Sequence, residues 1–94
     1  MNGVIFLKSE EIRKNISHNL VKYRNASGLT QSAIAQKINY TDKSVSKWER
    51  GDGTPDIFVL SSLAEFYGVK VDDFLSDGSE APLPQKPMLQ KKKY

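Results

Sequence analysis

The chain has 94 residues, no cysteine, one histidine and a formal net charge of +3 at pH 7. That length allows one small domain with tails. The lack of cysteine excludes disulfides and thiolate metal sites and points to a cytoplasmic setting. No apolar run approaches the roughly 18 residues of a membrane span. His18 and the carboxylates fall at no spacing that makes a metal cluster or a nucleophile–base pair, so the expectation is a non-enzyme with no metal, cofactor or membrane association.

Met1 to Leu7 is a short apolar lead without a clear period, and residues 1–8 are set apart as an N-terminal extension. It either packs on the domain, extends the first helix or pairs with a second subunit. Ser9 stands as the N-cap of a first helix, with Glu10 and Glu11 in its first turn. Ile12, Ile16, Leu20 and Tyr23 recur at helical spacing and predict the buried stripe, with Arg13, Lys14 and Lys22 off it. The helix is expected to end around Ala26 and Ser27, with Gly28 in the left-handed position. His18 on its flank reads as a surface or partly packed side chain.

Thr30 caps a second helix and leaves Gln31 among N–H groups without intrahelical partners, a ready place for an anion. Ile34, Ala35 and Ile38 form its inner face. Asn39 follows where the chain needs a left-handed residue. Thr41 caps a third helix over about 42–49, with Asp42 at its positive end. Val45 and Trp48 point back at the second helix, and Trp48 reads as core rather than as a stacking platform for bases. Asp42, Lys43, Ser46, Lys47 and Arg50 lie on the opposite, polar side.

Arg50 to Pro55 is an exit loop with two glycines, and Gly51 is its left-handed cap. Asp56 caps a fourth helix whose inward stripe is predicted as Ile57, Leu60, Leu63, Ala64 and Tyr67. Phe58, Val59 and Phe66 add apolar surface that either completes the core or meets a second subunit. Gly68 ends this helix. Val71 to Leu75 forms a last short helix whose start, at Lys70, lacks a capping side chain and is expected to fray. Residues 77–94, with prolines and a lysine run, predict a disordered tail.

Charge is polarised along the chain. Residues 1–41 carry Lys8, Arg13, Lys14, Lys22, Arg24 and Lys37 against Glu10 and Glu11. Residues 42–55 balance Lys43, Lys47 and Arg50 against Asp42, Glu49 and Asp52. Residues 56–78 set Lys70 against Asp56, Glu65, Asp72, Asp73 and Asp77. A polyanion would meet the first half, with the acidic end turned away.

The run LTQSAIAQKINYTDKSVSKWERG resembles the helix-turn-helix of the lambdoid phage repressor and Cro family, also called the XRE family. The resemblance covers about Ile12 to Leu75 and rests on Leu29-Thr30-Gln31, Ala35, Val45, Trp48 to Gly51, Pro55, and Ala64 through Gly68-Val69. It implies an all-α, five-helix, lambda-repressor-like domain over residues 9–76. It also implies a sequence-specific, double-stranded-DNA-binding transcriptional regulator, most simply a cytoplasmic repressor. The third helix would read the major groove, with Asp42, Lys43 and Lys47 at the family's base-contacting positions. Ser44 and Ser46 beside them are short, adaptable partners for base edges. Gln31, Thr41 and Arg50 would hold phosphates. Arg24 and Glu49 match an ion pair that fixes the third helix from behind. Relatives often dimerise through helices 4 and 5, which implies a homodimer on a palindromic operator. Two rivals stand beside this reading. One is the antitoxin of a toxin–antitoxin pair, with a protein partner. The other is a protein-interaction module on the same fold, kept in play by the neutral charge balance of residues 42–55.

Overall fold

The computed structural model describes residues 2–77, with side chains from Ser9 onward. It is all-helical: α1 (Asn2–Ala26), α2 (Gln31–Ile38), α3 (Asp42–Arg50), α4 (Ile57–Tyr67) and α5 (Val71–Leu75). The tail expected beyond Asp77 lies outside the described residues.

Four of the five helices end as the sequence predicts. Gly28, Gly51 and Gly68 have φ of 72°, 80° and 74°, and Asn39 is left-handed at φ 65°. At each, the reversing chain turns an N–H onto a helix carbonyl: Leu29 onto Arg24, Tyr40 onto Ala35, Asp52 onto Lys47 and Val69 onto Ala64. This double-bonded exit satisfies carbonyls that a blunt end would leave unpaired. Thr30, Thr41 and Asp56 cap the starts of α2, α3 and α4, accepting from the N–H groups of Ala33, Ser44 and Val59.

The first helix departs from expectation at its start. It begins at Asn2, so Ser9 is an interior residue and not an N-cap, and Glu10 and Glu11 do not lie in a first turn. No proline interrupts residues 2–9, and serine tolerates a helix interior at small cost.

Ile16, Leu20 and Tyr23 of α1, Ile34 and Ala35 of α2, Val45 and Trp48 of α3, Val59, Leu60, Leu63, Ala64 and Tyr67 of α4, and Phe74 of α5 make one core. Tyr23 sits at its centre, with its ring edge-on to Phe74 at 5.2 Å and tilted against Tyr67 at 5.8 Å. Trp48 is buried, as expected, and Tyr40 lies edge-on to it at 5.3 Å. In α4 the predicted stripe holds at Leu60, Leu63, Ala64 and Tyr67 and fails at its first residue. Ile57 is 59% exposed, whereas Val59 belongs to the core and Phe66 packs against it. Ile57 is the first helical residue after the Asp56 cap.

Two asparagines missed in the sequence tie α5 down. Asn19, fully buried, donates its side-chain N–H groups to the carbonyls of Asp73, Phe74 and Ser76 at 2.9–3.1 Å. Asn15, one turn earlier, donates to Leu75 O at 2.9 Å. At the other end of α5, Asp73 accepts from the Lys70 N–H at 2.8 Å. The element expected to fray therefore has a carboxylate at its start and amides at its end.

Candidate nucleic-acid interface

The third helix owes its position to what lies behind it. Glu49, at its inner edge, accepts from Arg24 Nε at 2.7 Å and Arg24 Nη2 at 3.0 Å. The two side chains are only 15% and 6% exposed, and Arg24 also donates to Leu29 O at 2.9 Å. The expected ion pair is thus present, bidentate and largely buried. Its hydrogen bond holds the Arg24 guanidinium still more firmly protonated, against the opposing effect of burial. Burial and the nearby Glu49 charge raise the Tyr67 phenol above its usual value of 10.0, with Arg24 pulling the other way.

Glu49 Oε1 also accepts from Gln31 Nε2 at 3.0 Å, a bond the sequence reading missed. One carboxylate therefore joins α1, α2 and α3. An amide nitrogen has two hydrogens, so Gln31 keeps one N–H and its carbonyl for an outside partner.

On the far side of α3, Gln31, Asp42, Lys43, Ser46, Lys47 and Arg50 line one open groove. Lys43 and Lys47 are exposed one helical turn apart. Asp42 lies at the positive end of the helix. The other two proposed readers are engaged locally. Ser44 gives its N–H to the Thr41 hydroxyl at 3.1 Å and receives that hydroxyl's hydrogen at 3.2 Å. Ser46 accepts from Arg50 Nη1 at 2.6 Å, and Arg50 Nε donates to Asp52 Oδ2 at 3.0 Å. Arg50 is thus not a loose cation but is tethered at two points. Its pairing across the exit loop could have been suspected from the one acidic residue in that loop. His18, as expected, is exposed and away from this face. Among the described residues no group of acidic and histidine side chains could hold a metal, and no helix is long and apolar enough to cross a membrane.

A helix-turn-helix family model matches residues 20–74, which spans the capped α2–turn–α3 unit and its supports. The chain belongs to the helix-turn-helix family. The relatives of this helix-turn-helix protein include regulators of different size. It is 33% identical over 57 residues to the HTH-type transcriptional activator BcrR of Enterococcus faecalis, a match over 61% of this chain but only 28% of BcrR. It is 28% identical over 72 residues to an uncharacterized HTH-type transcriptional regulator, y4dJ, of Sinorhizobium fredii, covering 77% of this chain and 94% of the relative. In fold it is similar to a hypothetical transcription factor, NHTF, from Neisseria, with a TM-score of 0.63 and 21% identity over 85% of this chain and 84% of that one. The chain therefore carries a helix-turn-helix domain like that of these regulators, and it spans less than a third of the length of BcrR.

Proposed function

We propose that this helix-turn-helix domain binds double-stranded DNA sequence-specifically, as a cytoplasmic repressor that occludes a promoter. The observation that carries the reading is the face of α3: four long or charged side chains around Ser46, with Gln31 at its edge, lining an open groove on a helix whose other face is locked by Glu49. Lys43 and Lys47 reach guanine O6 and N7, and Asp42 accepts from cytosine N4. Ser44 and Ser46 serve as short partners at base edges. Gln31 offers its free N–H, and Arg50 its remaining donors, to phosphates that set register without reading sequence. Thr41 joins them once its hydroxyl turns away from Ser44.

One such helix contacts few base pairs, so useful specificity calls for two copies on half-sites about one DNA turn, roughly 34 Å, apart. Phe58, 79% exposed at the start of α4, supports a homodimer through helices 4 and 5 on a palindromic operator. The experiment is selection of bound duplexes from a random pool at about 0.15 M salt, where surface charges alone are largely screened. A two-fold symmetric motif is the expected product. Failure to enrich any sequence would overturn the reading in favour of a protein-interaction module, or of an antitoxin that binds only with its partner.

A further inference from the structure

Arg50 has five N–H donors, and two are already spent. Its single Nε–H goes to Asp52 Oδ2 at 3.0 Å and one Nη1–H goes to Ser46 Oγ at 2.6 Å. The three that remain are all on the terminal nitrogens, which form the end-on fork of the guanidinium. Ser46 lies one helical turn back on α3 and Asp52 two residues on, past the left-handed Gly51. The two tethers engage different nitrogens of the guanidinium, Nε and Nη1. An arginine loses rotamer freedom on being fixed, and two existing hydrogen bonds reduce what remains to be lost.

The pairing also cancels charge. The Arg50 and Asp52 side chains are 60% and 56% exposed, so the pair itself adds little to stability. Its consequence falls on whatever approaches. A phosphate drawn only by net charge meets a cation and an anion side by side. A pair of acceptors aligned with the fork still meets a bidentate donor, the geometry arginine favours for phosphate oxygens or for guanine O6 and N7.

We infer that Asp52 is a specificity-determining residue, and Ser46 its positioning partner, which together turn Arg50 from a general polyanion contact into a directional one. The inference rests on the proposed DNA binding by α3. Asp52 weakens sequence-independent attraction more than it weakens the aligned complex, and so widens the gap between operator and other DNA.

The test compares D52N, D52E and S46A with the parent protein on two probes: the duplex recovered by selection and a scrambled duplex of the same composition, each titrated across a range of salt. D52N removes the countercharge and leaves only a neutral amide oxygen to accept from Arg50 Nε. It is expected to bind the scrambled duplex at least threefold more tightly and to steepen its salt dependence by about one counterion. The selected duplex should gain less or lose, so that the specificity ratio falls several-fold. D52E should restore most of that ratio. S46A removes the other tether but keeps the charge pair, so it should weaken selected binding without the steeper salt dependence expected of D52N. Melting temperatures should stay level throughout, since both tethers are exposed. Equal shifts of D52N on both probes, or none on either, would overturn the assignment while leaving the DNA-binding reading intact. Absence of duplex binding by the parent at low salt would overturn both.

Discussion

Replacing Glu49 with alanine removes the acceptor of three hydrogen bonds and strands the Arg24 guanidinium, which is 15% exposed, with Leu29 O as its one remaining partner. Breaking a buried ion pair from one side costs about 3–5 kcal/mol. The residual exposure of Arg24 and its bond to Leu29 place this case near the lower bound, about 3 kcal/mol. A domain of this size loses roughly 4–8 °C per kcal/mol, so the melting temperature should fall by about 12 °C or more. Trp48, the sole tryptophan and the immediate neighbour of Glu49, is buried and gives a local fluorescence reporter alongside circular dichroism. The double variant Arg24→Met with Glu49→Leu strands no charge and should recover most of the loss, because apolar replacement of both partners is often neutral. A Glu49→Ala protein that melts within about 2 °C of the parent yet has lost DNA affinity would refute this reasoning, since Glu49 would then act on DNA rather than on the fold.

Asn19→Ala should cost about 2 kcal/mol, because it leaves buried carbonyls of α5 without donors. Hydrogen exchange should speed up in α5 before α3, and uniform loss across all helices would contradict the clamp. The Tyr67 phenol is raised above its unfolded value of about 10, so the neutral form is the one the fold favours. Its contribution is fully present below pH 10 and is lost as pH rises above that. Tyr67→Phe should therefore push the alkaline unfolding midpoint upward, read by tyrosinate absorbance and circular dichroism together. Phe58→Glu should leave the melting temperature of dilute protein within about 1 °C, since surface changes cost little. It should abolish concentration-dependent dimerisation in sedimentation, and unchanged association would remove Phe58 from the interface. Lys43→Ala and Lys47→Ala should each alter the bases preferred at one position of the selected duplex by about 1–3 kcal/mol of discrimination. A uniform weakening on all sequences would reassign that lysine to phosphate.

Most of the architecture was legible because it is written in residues with steep local preferences. Gly28, Asn39, Gly51 and Gly68 each mark a left-handed exit that few other residues adopt, and Thr30, Thr41 and Asp56 mark the entries. One boundary and one burial assignment failed for lack of such a signal. Ser9 resembles a cap, but the preceding residues contain nothing that stops a helix. Ile57 fits the apolar period of α4, yet burial at a first helical residue depends on the direction of chain entry, which the period does not encode. The Arg24–Glu49 pair came from a resemblance rather than from spacing. Asn15 and Asn19 carried a readable hint, since Asn19 falls between Ile16 and Tyr23 on the buried stripe of α1. A polar residue there demands a partner, although nothing local says it lies some 54 residues away. The tethering of Gln31 was invisible for a similar reason, because a polar contact between helices follows from the exact placement of their ends, whereas the Arg50–Asp52 pair left a hint in the acidic residue two positions on.

The three-way junction at Glu49 also bears on how readily this protein could acquire a new target. The carboxylate fastens α1, α2 and α3 on the inner side, while Asp42, Lys43 and Lys47 line the groove on the outer side. Fastening is thereby confined to one face of a helix little more than two turns long, and on the proposed reading of DNA the opposite face carries recognition. On that proposal, changes at the three outer positions would trade one DNA sequence for another at little cost in folding, whereas changes at Arg24, Gln31 or Glu49 would shift the whole helix and blur every position at once. A library varied at Asp42, Lys43 and Lys47 alone should then yield folded proteins with new operators.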